Sequence, residues 1–331
     1  MKKGGKIVRI AATLLLIAFT LFTAGVPLRD WPEIISSQHI SWQWIAAAAA
    51  AMFSTVIVNS WKWQITLRLQ GLEAKAGRVF YHYSAGYFFN SFITGTGDIK
   101  RAMDMGRELG SPPAVWASVI ADRWSGAAGQ MLLALFTLIL ALGRVPQLGT
   151  VCWSAAAAVA LMFGGFYIFA SIPLFKERPS DSRIKLALWR MQKAFAVYKQ
   201  HSAALLACVV IGLAAPMLLV VVHIFLARAL HIDTPASALW LYIPTVSVFA
   251  QLPVTINGFG LQDYCMLHLL GSQMLPQQAI TLSAAFHGAR LGMGAAGGLV
   301  YAFLPGLGMT AADSGKTPES VNDGQIEDGK I

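Results

Sequence analysis

Charged residues are scarce in this chain. They make up 12% of its 331 residues, whereas hydrophobic residues reach 56%. A typical soluble domain carries about a quarter charged residues, so this balance excludes an ordinary water-soluble globular protein. Several uncharged stretches have the roughly 20 apolar residues that a helix needs to cross a bilayer. The composition therefore predicts an all-α polytopic membrane protein.

Cysteines and catalytic motifs are also few. Cys152, Cys208 and Cys265 lie in apolar surroundings without metal-ligand spacing, and their odd number argues against a disulfide framework. We find no P-loop, no H-E-x-x-H, no G-x-S-x-G and no paired-Asp metal motif. The sequence thus predicts no metal and no cofactor, and it favours a transporter over an enzyme.

Basic residues outnumber acidic ones, which gives a formal net charge of +9. The Lys and Arg residues are grouped in loops between apolar segments, and no basic soluble domain with interleaved aromatics is present. This distribution predicts cytoplasmic loops that follow the positive-inside rule, and no nucleic-acid partner.

The apolar segments predict about six spanning helices and two re-entrant helical hairpins. The segments cover about 7–26, 40–60, 79–96, 113–143, 148–173, 202–228, 236–256, 259–272 and 277–304. Trp61, Lys62 and Trp63 are interpreted as an interface marker at the end of the second segment. We expect a transmembrane domain over 1–305 and a polar, disordered cytoplasmic tail over 306–331.

The charge rule gives the topology. It places the basic N-terminus and the basic stretches 61–78 and 176–199 in the cytoplasm. Counting back from 176–199 through two helices places 97–112 in the cytoplasm as well. The segment 79–96 therefore begins and ends on the same side of the membrane and must be re-entrant. Non-helical backbone is tolerated at membrane depth only where protein buries it or water fills a cavity. We therefore expect a polar cavity, with both termini cytoplasmic.

A related pattern recurs near the other end of the chain. "TGTGD" at 94–98 and "NGFGLQD" at 257–263 each have two glycines in G-x-G spacing, then an acid, then a helix that carries an Arg. The two units have opposite predicted orientation. This is typical of an inverted-topology repeat, whose substrate site lies between the repeats.

The last predicted helix carries Arg290 with thirteen uncharged residues before it and fifteen after it. An Arg near mid-membrane costs a few kcal/mol or more unless it is paired or hydrated. It either binds substrate or forms a structural salt bridge to Asp263 or Asp122. Tight helix packing is predicted at the glycines of the same helix, namely Gly288, Gly292, Gly294 and Gly298.

Other polar residues also have two interpretations. Asp98, Lys100 and Arg101 are either an ordinary solvated loop or, together with glycine N–H groups, a phosphate site. Arg123 either takes part in function or anchors the helix at the interface. His82 and His287 are either proton carriers or hydrogen-bonded helix residues. The candidate substrate-binding residues are Asn90, Asp98, Lys100, Arg101, Asp122, Arg123, Asn257, Asp263 and Arg290.

The stretches "FFNSFITGTGDIKRAMDMGR", "ASVIADRW", "LPVTINGFGLQD" and "AFHGARLGMGAAGGL" together resemble one membrane family over nearly all of 1–305. This is the lysylphosphatidylglycerol synthase transmembrane-region family, also called flippase-like. Its pattern falls on Asn90, Gly95, Gly97, Asp98, Arg101, Asp122, Arg123, Leu252, Pro253, Thr255, Gly258, Gly260, Asp263 and Arg290. Thr94 and Gln262 depart from it, since the family often has Pro and Arg at these positions.

The resemblance implies lipid handling in the bacterial cytoplasmic membrane, by a stand-alone member without the aminoacyl-transferase domain. The leading hypothesis is a translocase for a phosphate-bearing lipid headgroup. Two alternatives stay open: an intramembrane transferase acting on a lipid-linked sugar or aminoacyl phospholipid, and an accessory subunit of an export system. The expected partners are a membrane lipid and, besides it, a lipid-modifying enzyme or a second copy of the chain.

Overall fold

A computed structural model of the chain describes residues 40–92, 95–142, 149–171, 183–250, 255, 258–271 and 273–304. The predicted first helix at 7–26, the tail at 306–331 and the candidate Asn257 lie outside these residues. Every regular element in the described ranges is a helix, which confirms the all-α prediction.

The helices follow one another with short connections. In chain order they are α1 Trp42–Leu69, α2 Ala76–Phe92, α3 Thr96–Glu108, α4 Pro112–Leu142, α5 Gly149–Ser171, α6 Arg183–Gln200, α7 Ser202–Ala229, α8 Ala236–Ala250, α9 Leu261–Leu270 and α10 Pro276–Phe303. Within the described residues, α1, α4 and α7 are long and apolar enough to cross a membrane. At 1.5 Å per residue they span roughly 40 Å or more, compared with about 30 Å of hydrocarbon. The total of six spans stays a prediction.

The helix predicted over 40–60 is longer than expected, because α1 continues to Leu69. Lys62 is only 2% exposed and Trp63 is fully buried. The interpretation of these two residues as an interface marker is therefore wrong. Apolar residues continue at helical spacing beyond Trp63, and a carboxylate from α4 neutralises the lysine.

Helices α2 and α3 pack against each other as a hairpin. The prediction placed the whole dip within 79–96 and a loop at 97–112, whereas the returning arm is the helix α3. Gly97 makes this crossing possible, since a Cβ there would overlap the carbonyl oxygen of Gly86. Gly95, which precedes α3, has φ of 90° and so adopts the left-handed conformation that glycine tolerates.

The order of α1–α4 is repeated in α7–α10, and the two units run in opposite directions. Each unit has a long helix, a six-residue connection, a hairpin of two helices and a second long helix. The start of α1 lies beside the end of α7, where the Ser41 N–H donates to the Ala229 carbonyl at 3.0 Å. Helix α2 packs on α10, and α8 packs on α4. The antiparallel pairing of α1 with α7 and the packing of each hairpin on the other unit support the predicted inverted repeat, which stays a prediction.

Glycines bring α10 close to α2. A Cβ at Gly294 or Gly297 would overlap Ser91 or Ser84 of α2, and Gly298 lies against the ring of Phe88. The packing prediction is wrong for Gly288 and Gly292. A Cβ at either position would meet no atom of the described residues within 4 Å, because both positions face outward.

Candidate functional site

A polar cavity of about 440 Å³ lies between the two repeat units. Four of the nine candidate residues line it, namely Asn90, Asp98, Arg123 and Arg290. Arg123 belongs to α4 of the first unit, and Arg290 belongs to α10 of the second. A separate cavity of about 360 Å³, beside α5 and α6, is lined mainly by aromatic and aliphatic side chains. It offers few polar partners to a charged group.

Asp98 holds two arginines at the edge of the polar cavity. Its Oδ1 accepts hydrogen bonds from Arg123 Nε at 2.9 Å and Nη2 at 2.7 Å, and from Arg101 Nε at 3.1 Å. The two guanidinium groups differ in access. The Arg123 side chain is 53% exposed and that of Arg101 only 1%. Arg123 can therefore contact a ligand in the cavity, whereas Arg101 supports it from behind.

Arg101 belongs to a buried charge network below the cavity. Its Nη2 donates to Asp122 Oδ2 at 2.8 Å, and Lys62 Nζ lies 3.2 Å from Asp122 Oδ1. The Arg101 guanidinium is also 4.5 Å from the ring of Trp63 and 4.7 Å from that of Tyr83. These ion pairs and cation–π contacts offset the cost of burying the charges.

The network and the cavity wall carry an excess of positive charge. Lys62, Arg101 and Arg123 face two carboxylates, those of Asp98 and Asp122. Arg290, which is partly buried on α10 with its guanidinium 5.8 Å from the Phe286 ring, adds a further cation at the cavity. A low-dielectric site with excess positive charge attracts anions. Planar guanidinium groups suit phosphate in particular.

Asp263 lies next to the cavity and contacts it through His287. The Asp263 carboxylate accepts hydrogen bonds from Ser283 Oγ, from the Gly260 N–H at 2.8 Å and from His287 Nε2 at 2.9 Å. Asp122 is held by Lys62 and Arg101. Of the two acids considered as structural partners of Arg290, Asp263 also interacts with it electrostatically.

Asn90 acts on the hairpin turn. Its Oδ1 accepts hydrogen bonds from the N–H groups of Gly95 and Gly97, both at 2.9 Å. These are amides at the start of α3, so the Asn90 oxygen does the work of a helix cap. The two glycine N–H groups predicted to hold a phosphate are therefore already occupied.

Lys100 does not join the other candidates. It pairs with Asp104 one turn further along α3, and its Nζ lies 5.3 Å from the ring centre of Tyr301. It does not line the cavity.

Sequence reasoning missed several residues at the site. Tyr83 and Tyr87 of α2 line the cavity, and Phe259 stacks on His287 with ring centres 4.0 Å apart. Lys62 was missed because the helix was predicted to end near residue 60. A prediction that extended the helix past Trp61 would have placed Lys62 among apolar residues and marked it as a candidate. No group of three His, Cys, Asp or Glu side chains suited to a metal occurs in the part of the chain that the structure describes.

The chain matches the model of a known protein family. A family model described as lysylphosphatidylglycerol synthase TM region matches residues 6–298. A comparison with individual curated proteins finds no match. Together with the apolar helices, the family match shows a multi-pass membrane protein related to lipid modification or flipping.

Proposed function

The chain belongs to the lysylphosphatidylglycerol synthase TM region family, and from this premise we propose that it is a lipid translocase of the bacterial cytoplasmic membrane. Its substrate is a lipid with a polar, phosphate-bearing headgroup. The observation that supports this proposal most is the cavity between the inverted repeats, to which each repeat contributes one arginine.

The chemistry of the cavity suits a headgroup in transit. A phosphate between Arg123 and Arg290 receives N–H donors from both repeat units, while Asp98 keeps Arg123 oriented. The acyl chains stay in the surrounding lipid, so only the headgroup needs a polar environment. The cavity thereby removes most of the cost of taking a charged group through hydrocarbon.

The inverted repeat supplies a route for alternating access. In transporters built this way, one repeat rocks against the other around a fixed site. Here the hairpins α2–α3 and α8–α9 each pack on the long helix of the other unit. We propose that their movement opens the cavity alternately to the two sides.

The test is lipid translocation in proteoliposomes. Fluorescent phosphatidylglycerol is incorporated, and the fraction on each side is followed by quenching from outside. The wild-type chain should accelerate exchange over protein-free vesicles. Arg290→Ala should reduce the rate about tenfold or more, since a hydrogen bond to a charged group contributes about 1.5–3 kcal/mol.

The matched control is Arg68→Ala. Arg68 is exposed in the last turn of α1 and does not line the cavity, so its loss should leave the rate unchanged. Wild-type protein that is folded but does not exceed protein-free vesicles would contradict the proposed function for this class of lipid.

A further inference from the structure

His287 has one ring nitrogen in use and one without a partner. Nε2 lies 2.9 Å from Asp263 Oδ1, whereas buried Nδ1 has no hydrogen-bond partner among the residues that the structure describes. The residue as a whole is 5% exposed, yet it lines the polar cavity. A buried polar atom without a protein partner is open to a hydrogen bond from a water molecule, an ion or a ligand, and this one belongs to a residue of the cavity wall.

The contacts of Asp263 fix which nitrogen carries the hydrogen. Its carboxylate accepts from Ser283 and from the Gly260 N–H as well, and an ionised carboxylate can only accept. Neutral His287 therefore holds its hydrogen on Nε2 and has a lone pair on Nδ1. The ring of Phe259, inclined by 14° to the imidazole, keeps the imidazole plane in place.

We propose that His287 Nδ1 is a proton-binding site coupled to the lipid headgroup, so that one proton is taken up when a phosphate enters the cavity. This inference rests on the proposed function and adds an energy source to it. The proton comes from water on the loading side and returns to water on the release side. No bond of the lipid is broken.

The charges around His287 explain the coupling. Two charged groups are close to it: the carboxylate of Asp263 on α9 and the guanidinium of Arg290 on its own helix. Two neutral titratable groups also face it, namely the imidazole of His223 on α7 and the phenol of Tyr87 on α2. Asp98 and Arg123 lie on the opposite wall of the cavity. In the empty cavity, Arg290 one turn away opposes a second positive charge. A phosphate offsets that charge and favours the imidazolium, which Asp263 stabilises from the other side.

Linkage makes the effect reciprocal. If phosphate binding raises the proton affinity of His287, protonation must raise the affinity for phosphate by the same factor. A headgroup would therefore load on the more acidic side of the membrane and leave on the less acidic side. A proton gradient would then drive net movement of the lipid.

The experiment is calorimetric titration of the purified chain in detergent with dihexanoyl phosphatidylglycerol. Its phosphodiester stays ionised near neutral pH, so any protons taken up go to the protein. Titrations at pH 7 in two buffers with different ionisation heats give the number of protons bound per lipid. The wild-type chain should take up a fraction of one proton for each lipid bound. Its affinity should rise as the pH falls from 8 to 6.

His287→Gln should bind the lipid with no proton uptake and with affinity independent of pH. His268→Gln is the matched control, because His268 is exposed on α9 and does not line the cavity. It should behave as wild type. If His287→Gln does not fold, Asp263→Asn is titrated instead. Because this variant lacks the carboxylate that stabilises the imidazolium, its affinity for the lipid should rise only at a lower pH than that of the wild type.

Three outcomes would overturn the inference. Lipid binding to the wild type with buffer-independent heat would mean that no proton is coupled. Unchanged proton uptake in His287→Gln, or an unaltered pH response in Asp263→Asn, would mean that the coupled proton binds at another group. All three leave the proposed function standing. Absence of any binding by the wild type, from pH 6 to pH 8, would remove the inference together with the proposed headgroup site.

Discussion

Arg78, in the first turn of α2, forms an ion pair with Glu108, the last residue of α3. His82 Nε2 lies 3.0 Å from the other carboxylate oxygen of Glu108. The two ends of this hairpin therefore meet at one level, as a segment that enters the membrane and returns requires. Because Arg78 and Glu108 lie at these helix ends, the connection before α2 and the connection after α3 are close to each other.

The first prediction concerns the side on which these connections lie. Single cysteines at Glu73 and Ser111, in a background without the native cysteines, should both react with an impermeant maleimide from the cytoplasmic side. Both positions lie in connections that the structure leaves at least partly exposed. The measurement compares intact cells with inside-out vesicles. Labelling of the two positions from opposite sides would mean that the hairpin crosses the membrane.

The second prediction is acid sensitivity at the hairpin ends. Burial alone would raise the pKa of Glu108, but the contacts with His82 and Arg78 outweigh it and hold that pKa below its ordinary range. A carboxyl whose pKa is lowered on folding contributes stability above its unfolded value of about 4.3. This contribution is lost as the pH falls through the folded value.

Glu108→Gln should therefore lower the melting temperature in detergent at pH 7. It should also weaken the decrease of the melting temperature below about pH 4.3. The expected shift is about 1–4 °C, since a partly exposed ion pair is worth about 1 kcal/mol or less. Glu73→Gln, in the exposed connection before α2, is the control. Parallel pH curves for wild type and Glu108→Gln would contradict the assignment.

The third prediction is that Asp122 is needed for folding more than for ligand contact. Asp122→Asn leaves buried Lys62 without its carboxylate partner and leaves Arg101 with Asp98 alone, and breaking a buried ion pair costs about 3–5 kcal/mol. We expect little folded protein on size-exclusion chromatography. Asp104→Asn breaks only the pair with Lys100 on the outer part of α3, so it should leave the yield unchanged. Equal yields for the two variants would show that the buried network is dispensable.

The fourth prediction tests the crossing inside the hairpin. Gly97→Ala should destabilise the protein, because the new methyl group overlaps the Gly86 carbonyl and the backbone cannot move aside cheaply. Gly292→Ala introduces the same methyl at an open position of α10 and should be neutral or slightly stabilising. Melting temperatures of the two variants decide the matter. A Gly97→Ala chain as stable as wild type would mean that α2 and α3 do not approach so closely.

Much of the fold could be predicted from the sequence because its strongest signals are local. Uncharged runs indicate membrane helices, and the two G-x-G-containing turns mark the two hairpins. Asp98, Arg123 and Arg290 were among the candidate substrate-binding residues named from the sequence. The structure brings all three to one cavity.

Other features depend on contacts between distant segments. The sequence around Lys62 indicates an interface lysine, because nothing local shows that Asp122, sixty residues further on, lies beside it. Asn90 reads as a ligand residue until its oxygen is seen to hold the amides of Gly95 and Gly97. The free ring nitrogen of His287 likewise becomes visible only once Asp263 is placed against the other nitrogen.

The most direct test of whether lipid headgroups pass through the cavity is to block the cavity chemically and to compare the translocation rate of the same protein before and after. Ala127 lines the cavity, whereas Glu73 lies in the exposed connection before α2. Ala127→Cys and Glu73→Cys, without native cysteines, are treated in proteoliposomes with a sulfonate-bearing thiol reagent. Mass spectrometry gives the extent of labelling, and phosphatidylglycerol translocation is measured before and after. We predict that labelled Ala127→Cys falls to the rate of protein-free vesicles and recovers on reduction, while labelled Glu73→Cys is unaffected. Fully labelled Ala127→Cys that translocates lipid at its original rate would contradict the account.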